Sequence, residues 1–166
     1  KEAAKAAIDA NFTRYTAAAG IPELREAICG RYKRDYGVDV TAAEVLLTFC
    51  CKQALFNTAL ALFNPGDEVI FMQPNYMQIA GIAQAFGAAV KPLWLREDLR
   101  WAPDIAELRR LLSPKTKLIA ICNPSNPTGA VLSEKLMGEI CAAAASAGAW
   151  ILADEVYRGA EFSGTM

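Results

Sequence analysis

Apolar and polar residues alternate in blocks along most of the chain, and the blocks predict elements that switch between strand and helix. Short apolar runs predict strands at residues 45–48, 68–72, 89–93, 117–121 and 149–153. Longer stretches between turn signals predict helices at residues 52–63, 76–86, 104–112 and 133–147. Because the strand runs are almost continuously apolar, they indicate an α/β fold with a mainly parallel sheet sandwiched by helices.

The N-terminal residues show a different pattern. Residues 1–9 are typical of the end of a helix, and a loop follows over residues 11–20. Pro22 suits the first turn of a helix that continues to about Tyr36, and Gly37 suits its end. We therefore expect residues 1–44 to form an N-terminal helical segment leading into an α/β domain at residues 45–166.

The composition indicates that much of this apolar surface is covered in the intact protein. Hydrophobic residues make up 54% of the 166 residues, which is high for a solvated monomer. Either a partner buries much of the surface or part of the fold lies elsewhere. The sequence lacks an initial Met and stops soon after a candidate functional loop, so we expect an excerpt from a longer protein.

Charge and residue usage exclude several classes of function. The net charge is −1, which favours neither nucleic acid nor an anionic membrane as a partner. The chain has no histidine, which excludes His-based acid–base catalysis and His metal ligands. Its five cysteines are odd in number and show no CxxC spacing, which argues against a disulfide framework or a zinc site and suits a reducing cytoplasm.

The candidate chemistry follows two predicted strands at the points where they end. Residues 122–129, with the sequence CNPSNPTG, follow one strand, and residues 154–157, with the sequence DEVY, follow another. Parallel strands place their carboxyl ends at one rim of the sheet, where open α/β sheets bind ligands. The two segments therefore predict a cofactor site at this rim.

Asp154 is the first candidate residue of this site. As a single residue it is more typical of an ordinary turn or helix cap than of a functional site. In a site it would hold a heteroaromatic nitrogen in its protonated, cationic form, because an adjacent anion favours that form. A protonated pyridine ring is the electron sink of pyridoxal phosphate (PLP) chemistry, so PLP is the cofactor this hypothesis favours.

Asn126 and Tyr157 are candidates for holding an oxygen on the same ring. Asn126 also suits turn chemistry, and Tyr157 also suits packing. Pro124 and Pro127 restrict the backbone on either side of Asn126, so its amide could be held in place to donate to a ring oxygen, and Tyr157 could share that oxygen.

The remaining candidates concern a phosphate and the face of a ring. Residues 48–55 join a strand to a helix, and backbone N–H groups at a helix N-terminus bind phosphate, although a plain strand–helix turn is an open alternative. No GxGxxG fingerprint or Walker P-loop occurs, so dinucleotide and ATP sites lack their usual support. Tyr76 follows a strand and could stack on a flat ring or pack in the core, while Tyr15 lies in a loop.

Five segments, taken in order, resemble the class I/II aminotransferases, the aspartate-aminotransferase-like group of fold type I PLP enzymes. The resemblance covers roughly residues 11–160, and its segments are YTAAAGIPELREAI, TFCCKQALFNTALALFNPGDEVIF, QPNYMQ, CNPSNPTGAVLS and ADEVYRG. It implies the PLP-dependent transferase large-domain fold, which is incomplete in this chain because family members place later strands inside the same sheet.

The resemblance implies a role around the cofactor ring for four residues. Asp154 would pair with the pyridine nitrogen, and Asn126 and Tyr157 would bond the phenolic oxygen of the ring. Tyr76 would stack on the face of the pyridine.

The resemblance also implies a phosphate site and a second subunit. Backbone groups of Cys50, Cys51 and Lys52 would hold the phosphate. Tyr15 matches the tyrosine that in this family reaches the phosphate of the neighbouring subunit, which implies a homodimer with shared active sites. Family members commonly carry small residues, often glycine, where Cys50 and Cys51 stand, so two side chains could crowd this turn or disfavour a positive φ.

The family's covalent lysine has no counterpart in this chain. That lysine forms a Schiff base with the cofactor and follows the DEVY segment, but no lysine follows Tyr157, and the arginine that grips the substrate carboxylate lies further on still. The resemblance thus implies a PLP-dependent aminotransferase in the intact parent, with amino acids and 2-oxo acids as substrates, and inactivity of this segment alone. The alternatives are a fold type I PLP lyase or synthase, and a non-catalytic binding module.

Overall fold

The computed structural model describes residues 1–160 and 162, and the chain divides into two compact units, Lys1–Phe49 and Cys50–Met166. The first unit contains helices α1 (Glu2–Asp9) and α2 (Pro22–Tyr36), followed by a 3-10 turn at Ala42–Glu44. Pro22 begins α2, and Gly37 ends it with a left-handed φ of 69°. Both predicted boundaries of this helix are therefore confirmed.

The predicted strand at residues 45–48 is wrong. The Val45 carbonyl accepts a hydrogen bond from Arg25 Nε at 3.0 Å, and the Leu47 N–H donates to the Ala19 carbonyl at 3.0 Å. A strand requires another strand beside it to pair its backbone groups, and the described residues of the first unit contain none. The apolar run therefore forms an extended segment that pairs with a side chain and a loop.

The second unit alternates helices and strands as predicted. Its elements are α3 (Cys50–Leu62), β1 (Glu68–Gln73), α4 (Gln78–Ala85), β2 (Ala89–Trp94), α5 (Ile105–Leu111), β3 (Thr116–Cys122), α6 (Glu134–Ala147) and β4 (Trp150–Asp154). These four strands lie within one or two residues of their predicted bounds. A 3-10 turn at Glu97–Leu99 was not predicted.

The four strands form one parallel sheet in the order β2-β1-β3-β4. Val69 in β1 lies opposite Val90 in β2 on one side and Leu118 in β3 on the other. The chain passes from β1 to its neighbour β2 and then crosses to the opposite side of β1 to form β3. The direction of winding thus changes between β1 and β3, and the carboxyl ends of these strands are where such sheets bind ligands.

Both faces of the sheet are covered, which explains the continuous apolar runs. Val69 and Phe71 of β1 pack in a core with residues of α3 and α4, whereas Ile70 and Met72 pack in a second core with residues of α5 and α6. Successive side chains of a strand point to opposite faces, so a strand covered on both sides needs apolar residues at every position. The predicted parallel sheet sandwiched by helices is confirmed.

Capping side chains set several helix boundaries. The Ser133 hydroxyl accepts a hydrogen bond from the Leu136 N–H at 3.3 Å at the start of α6, and Gly148 ends that helix with a φ of 64°. Asp104 caps α5 by accepting from the Ala106 N–H at 2.8 Å. The helix α5 therefore begins at Ile105, one residue later than predicted.

Tyr76 lies outside the helix it was predicted to begin. The structure places Tyr76 in the loop between β1 and α4, two residues before α4 starts at Gln78. Its N–H donates to Oδ1 of the neighbouring Asn75 at 2.6 Å. Tyr76 therefore remains on the connection that leaves the carboxyl end of β1.

None of the helices found in the described part of the chain has the length and apolar character needed to cross a membrane.

Candidate functional site

A cavity of about 410 Å³ lies in the second unit where the carboxyl ends of the strands meet the start of α3. Seven of the eight residues predicted for the cofactor site line it. The lining residues are Cys50, Cys51, Lys52, Leu55, Tyr76, Gln78, Cys122, Asn126, Asp154, Val156 and Tyr157. Since these residues come from segments up to 107 positions apart, the fold of the sheet assembles the cavity.

The eighth predicted residue, Tyr15, belongs to the first unit. Its side chain is fully exposed there and lines a separate open cavity of about 290 Å³ with residues such as Phe12 and Arg14. Its role toward a neighbouring subunit stays a prediction.

Asp154 is held in place at the end of β4. It lies opposite Cys122 of β3, and its backbone carbonyl accepts a hydrogen bond from the Asn123 N–H at 2.9 Å. Its side-chain Oδ1 accepts from the Val156 N–H at 3.1 Å, and the residue is partly buried. A fixed carboxylate with restricted water access can stabilise a cationic group placed in the cavity.

Asn126 and Tyr157 meet across the cavity rim, although 31 positions separate them. Nδ2 of Asn126 donates to the Tyr157 hydroxyl oxygen at 3.4 Å. The loop that carries Asn126 closes on itself, because the Ser125 N–H donates to the Ala130 carbonyl at 2.9 Å and the Gly129 N–H donates to the Ser125 carbonyl at 2.8 Å. The amide and the phenol can therefore donate together to one oxygen of a bound ligand.

Two residues at the end of β3 support this loop, and both were absent from the predicted site. Asn123 is buried, and its Oδ1 accepts from the Leu132 N–H at 2.9 Å, which joins the two ends of the loop. The buried Cys122 thiol lines the cavity and donates to the Pro124 carbonyl at 3.3 Å. Burial raises the pKa of the Cys122 thiol, and the charge of Asp154 raises it further, so this thiol stays protonated. In the sequence, the signal that could have identified Cys122 and Asn123 was their position inside the CNPSNPTG segment.

The start of α3 forms the remaining wall. The helix begins at Cys50, earlier than the predicted Lys52, so Cys50, Cys51 and Lys52 all lie in its first turn. The backbone N–H groups of a first helical turn have no acceptors within the helix and favour an anion. Cys50 adopts a φ of 68°, a left-handed conformation that favours glycine, so the turn has the positive φ that a cysteine side chain was expected to disfavour.

The chemistry of these groups fits PLP. The cavity offers a carboxylate for the ring nitrogen, an amide and a phenol for the ring oxygen, an aromatic side chain in Tyr76 for the ring face, and a helix N-terminus for the phosphate. Its volume lies within the usual range of small-molecule sites, roughly 300–1,000 Å³. In the described residues, no group of three or more acidic or cysteine side chains could hold a metal ion.

Comparisons with known proteins show which family the chain belongs to. The model of the family Aminotransferase class I and II matches residues 1–166. The chain is 35% identical over 164 residues to the aspartate/prephenate aminotransferase of Thermus thermophilus, covering 99% of this chain and 43% of that protein. It is 40% identical over 157 residues to the aspartate aminotransferase of Pyrococcus horikoshii, covering 95% of this chain and 40% of that protein.

A solved structure shows the same fold. The alanine aminotransferase from Pyrococcus furiosus superposes with a TM-score of 0.91 at 36% identity, covering 94% of this chain and 40% of that one. The chain thus spans about two fifths of the length of the curated relatives it matches. The family model, these relatives and the shared fold together show that the chain belongs to the class I and II aminotransferases, a PLP-dependent family of fold type I.

Proposed function

We propose that the protein containing this chain is a PLP-dependent aminotransferase that moves an amino group between an amino acid and a 2-oxo acid. One observation carries the proposal: seven residues predicted for a PLP site from separate segments line a single cavity at the carboxyl edge of the sheet. The named relatives act on aspartate, prephenate or alanine, so the proposal stays at the level of the substrate class.

Asp154 would make the cofactor an effective electron sink. When PLP is bound, its protonated ring stabilises negative charge at the amino acid Cα, which is the chemistry the cofactor supplies. Asp154 can keep the ring nitrogen protonated because its side-chain oxygen is held in place by the Val156 N–H, and a carboxylate beside the nitrogen favours the cationic form.

Asn126, Tyr157 and Tyr76 would orient the ring. The contact between Nδ2 of Asn126 and the Tyr157 hydroxyl places two donors side by side, where they can both reach the ring oxygen. Tyr76, on the loop after β1, offers its aromatic face from another wall of the same cavity. Fixing the ring from several sides reduces the motion that would misplace the reacting bond.

The first turn of α3 would bind the phosphate. Backbone N–H groups of Cys50, Cys51 and Lys52 lie at the positive end of a 13-residue helix, and Lys52 adds a positive charge. Covalent attachment and proton transfer at the substrate require a lysine. No lysine follows Tyr157 in this chain, which spans 43% of the Thermus thermophilus relative, so the proposal concerns the whole protein and not this segment alone.

The test uses the PLP-loaded, full-length protein with an amino acid whose nitrogen is isotopically labelled and a 2-oxo acid acceptor. Mass spectrometry should show the label in the newly formed amino acid. Label released as ammonia instead would contradict an aminotransferase and support a lyase. An absence of PLP binding by the full-length protein would contradict any PLP-dependent function.

The variant Asp154→Asn tests the role of the carboxylate directly. It keeps the shape of the side chain and its acceptor for the Val156 N–H but removes the charge. Unit charges about 4 Å apart attract by about 4 kcal/mol at an effective dielectric constant of about 20, so we expect a rate lower by roughly 10²- to 10³-fold. The control is Asp98→Asn, because Asp98 is exposed and pairs only at the surface with Arg96 at 3.3 Å; its rate should match the wild type. Equal rates for both variants would contradict the role of Asp154.

We also propose that the intact protein is a homodimer with shared active sites and that it works in the cytoplasm. Support for the dimer comes from the match of Tyr15 to the family's tyrosine and from the exposure of apolar neighbours such as Phe12 and Ile8. Support for the cytoplasm comes from the five cysteines, all in described residues, among which no disulfide forms.

Subunit mixing tests the shared site. Subunits carrying Tyr15→Ala and subunits carrying Asp154→Asn are each expected to be weakly active as pure dimers. If Tyr15 acts across the interface, a mixed dimer has one site with both changes and one site with neither, so an equal mixture should recover about a quarter of wild-type activity. No recovery would show that Tyr15 acts within its own subunit.

A further inference from the structure

The cofactor cavity is unusually rich in thiols. Cys50, Cys51 and Cys122 all line it, whereas Cys141 lies on α6 away from the cavity and Cys29 lies in the first unit. The phosphate role proposed for the first turn of α3 uses backbone N–H groups, so it gives no use to the side chains of Cys50 and Cys51. Two cysteine side chains at this turn therefore call for an explanation of their own.

The three thiols of the cavity differ in their access to reagents. Cys122 is buried, its pKa is raised, and its Sγ donates to the Pro124 carbonyl, so it is a poor nucleophile. Cys50 and Cys51 are exposed at the mouth of the cavity. Because thiol–disulfide exchange requires an accessible thiolate, a reagent entering the cavity would meet these two first.

An adduct at either position would occupy the space of the phosphate. Both sulfur atoms belong to the first turn of α3, the turn whose backbone N–H groups would bind the phosphate under the proposed function. The cavity they line holds about 410 Å³ and must also contain the ring between Asp154 and Tyr157. A group of tripeptide size on either sulfur would therefore compete with the phosphate for this space.

We propose that the Cys50–Cys51 pair is a modification site for low-molecular-weight disulfides, and that its modification and cofactor phosphate binding exclude each other; this rests on the proposed function. The thiolate of one cysteine attacks a sulfur of the reagent. A mixed disulfide forms, the reagent's S–S bond breaks, and the leaving thiolate takes up the proton that the cysteine lost. The protein sulfur is oxidised, half of the reagent is reduced, and excess thiol reverses the step.

The experiment treats the full-length protein, freed of cofactor, with glutathione disulfide and maps mixed disulfides by peptide mass spectrometry. We expect modification at Cys50 or Cys51 without PLP, and a rate about tenfold lower at a PLP concentration ten times its Kd, because the free site then falls to about a tenth. Cys141 is exposed on α6 and serves as the internal control, so its rate should not change with PLP. Modification of Cys141 without any at Cys50 or Cys51 in the cofactor-free protein overturns the inference.

The reciprocal experiment follows PLP binding by absorbance before and after modification. Modified protein should lose PLP binding and recover it when a thiol reductant is added. A variant with Cys50→Ser and Cys51→Ser should show the same PLP affinity with and without disulfide treatment, while Cys141→Ser should remain as sensitive as the wild type.

The two hypotheses fail in different ways. If PLP binds the untreated protein but does not slow modification at Cys50 and Cys51, the inference is overturned and the proposed function stands. If PLP does not bind the untreated protein at all, the proposed function is overturned and the inference falls with it.

Discussion

Glu68 offers a quantitative test of the electrostatics of this fold, at the end of the sheet opposite the cofactor cavity. It is the first residue of β1, and its side chain is only 16% exposed. One carboxylate oxygen lies 2.6 Å from Nζ of Lys91 and also accepts a hydrogen bond from the Ser113 hydroxyl. The hydrogen bond from Lys91 is the main cause that holds the pKa of Glu68 below its ordinary value of 4.5, and the hydrogen bond from Ser113 is the second. The perturbation is Glu68→Gln, which removes the charge and keeps the shape.

The expected loss of stability follows from the contacts that residue 68 and Lys91 each keep after the substitution. Hydrogen bonds to charged groups contribute about 1.5–3 kcal/mol, and the glutamine oxygen can still accept one of the two bonds. Lys91 keeps a bond to the Leu111 carbonyl at 3.0 Å and is partly exposed, so water can solvate much of its charge. We therefore expect Glu68→Gln to lower the free energy of unfolding by about 1–2 kcal/mol at neutral pH.

The pH dependence has a definite sign. Because the folded state lowers the pKa of Glu68, the carboxylate contributes its full stability above its ordinary pKa and loses it as the pH falls through the lower folded value. The difference between wild type and Glu68→Gln should therefore be complete at pH 7 and shrink below a pH of about 4.

Urea denaturation of the full-length protein measures this difference, at fixed protein and PLP concentrations because binding and association both shift stability. The control is Glu97→Gln, since Glu97 is exposed in a 3-10 turn and should change stability by less than about 0.5 kcal/mol. Equal stability of Glu68→Gln and wild type at pH 7, or a difference that persists in strong acid, would refute the reasoning.

Three further changes test packing, capping and backbone strain by the same urea assay. Ile119→Ala removes a fully buried side chain from the central strand β3 and should cost about 2–5 kcal/mol, whereas Ile119→Val should cost about 0.5–1.5 kcal/mol; equal costs would contradict tight packing. Asp104→Ala removes the acceptor of two N–H groups at 2.8 and 3.2 Å and should cost about 1 kcal/mol, which Asp104→Asn should largely restore. Gly87→Ala should cost at least about 1 kcal/mol, because Gly87 has a φ of 76° and a Cβ would lie 3.3 Å from Pro65; an unchanged midpoint would argue against strain at this turn.

Two differences from the predicted elements have physical reasons. Residues 45–48 carry a strand-like apolar run, yet a strand forms only where another strand pairs with it, and the described first unit has none. Tyr76 was predicted to begin a helix, but it lies in the loop after β1 and the helix begins at Gln78. The lack of a pairing strand in the described first unit explains the first difference, whereas the second reflects that an apolar pattern does not fix the first residue of a helix.

The cofactor site likewise has features that the sequence displays and features that only the folded chain shows. The residue types of the CNPSNPTG and DEVY segments pointed to a carboxylate, an amide and a phenol for a PLP ring, because their chemistry belongs to the side chains themselves. The involvement of Cys122 and Asn123 followed only from tertiary structure, since burial and hydrogen bonds to distant parts of the loop give them their roles. The early start of α3 and the left-handed backbone at Cys50 are likewise properties of the folded turn.

The amino-acid sequence by itself determined the alternation of strands and helices in the second unit and the chemical groups of the site. These depend on side-chain period and on contacts a few residues apart, which a single sequence displays. Only the tertiary structure decided the strand order β2-β1-β3-β4 and brought Tyr76, Asn126 and Asp154 to one cavity. That step depends on pairing between segments far apart in the chain, where the winding changes direction between β1 and β3 and leaves a crevice at the carboxyl edge.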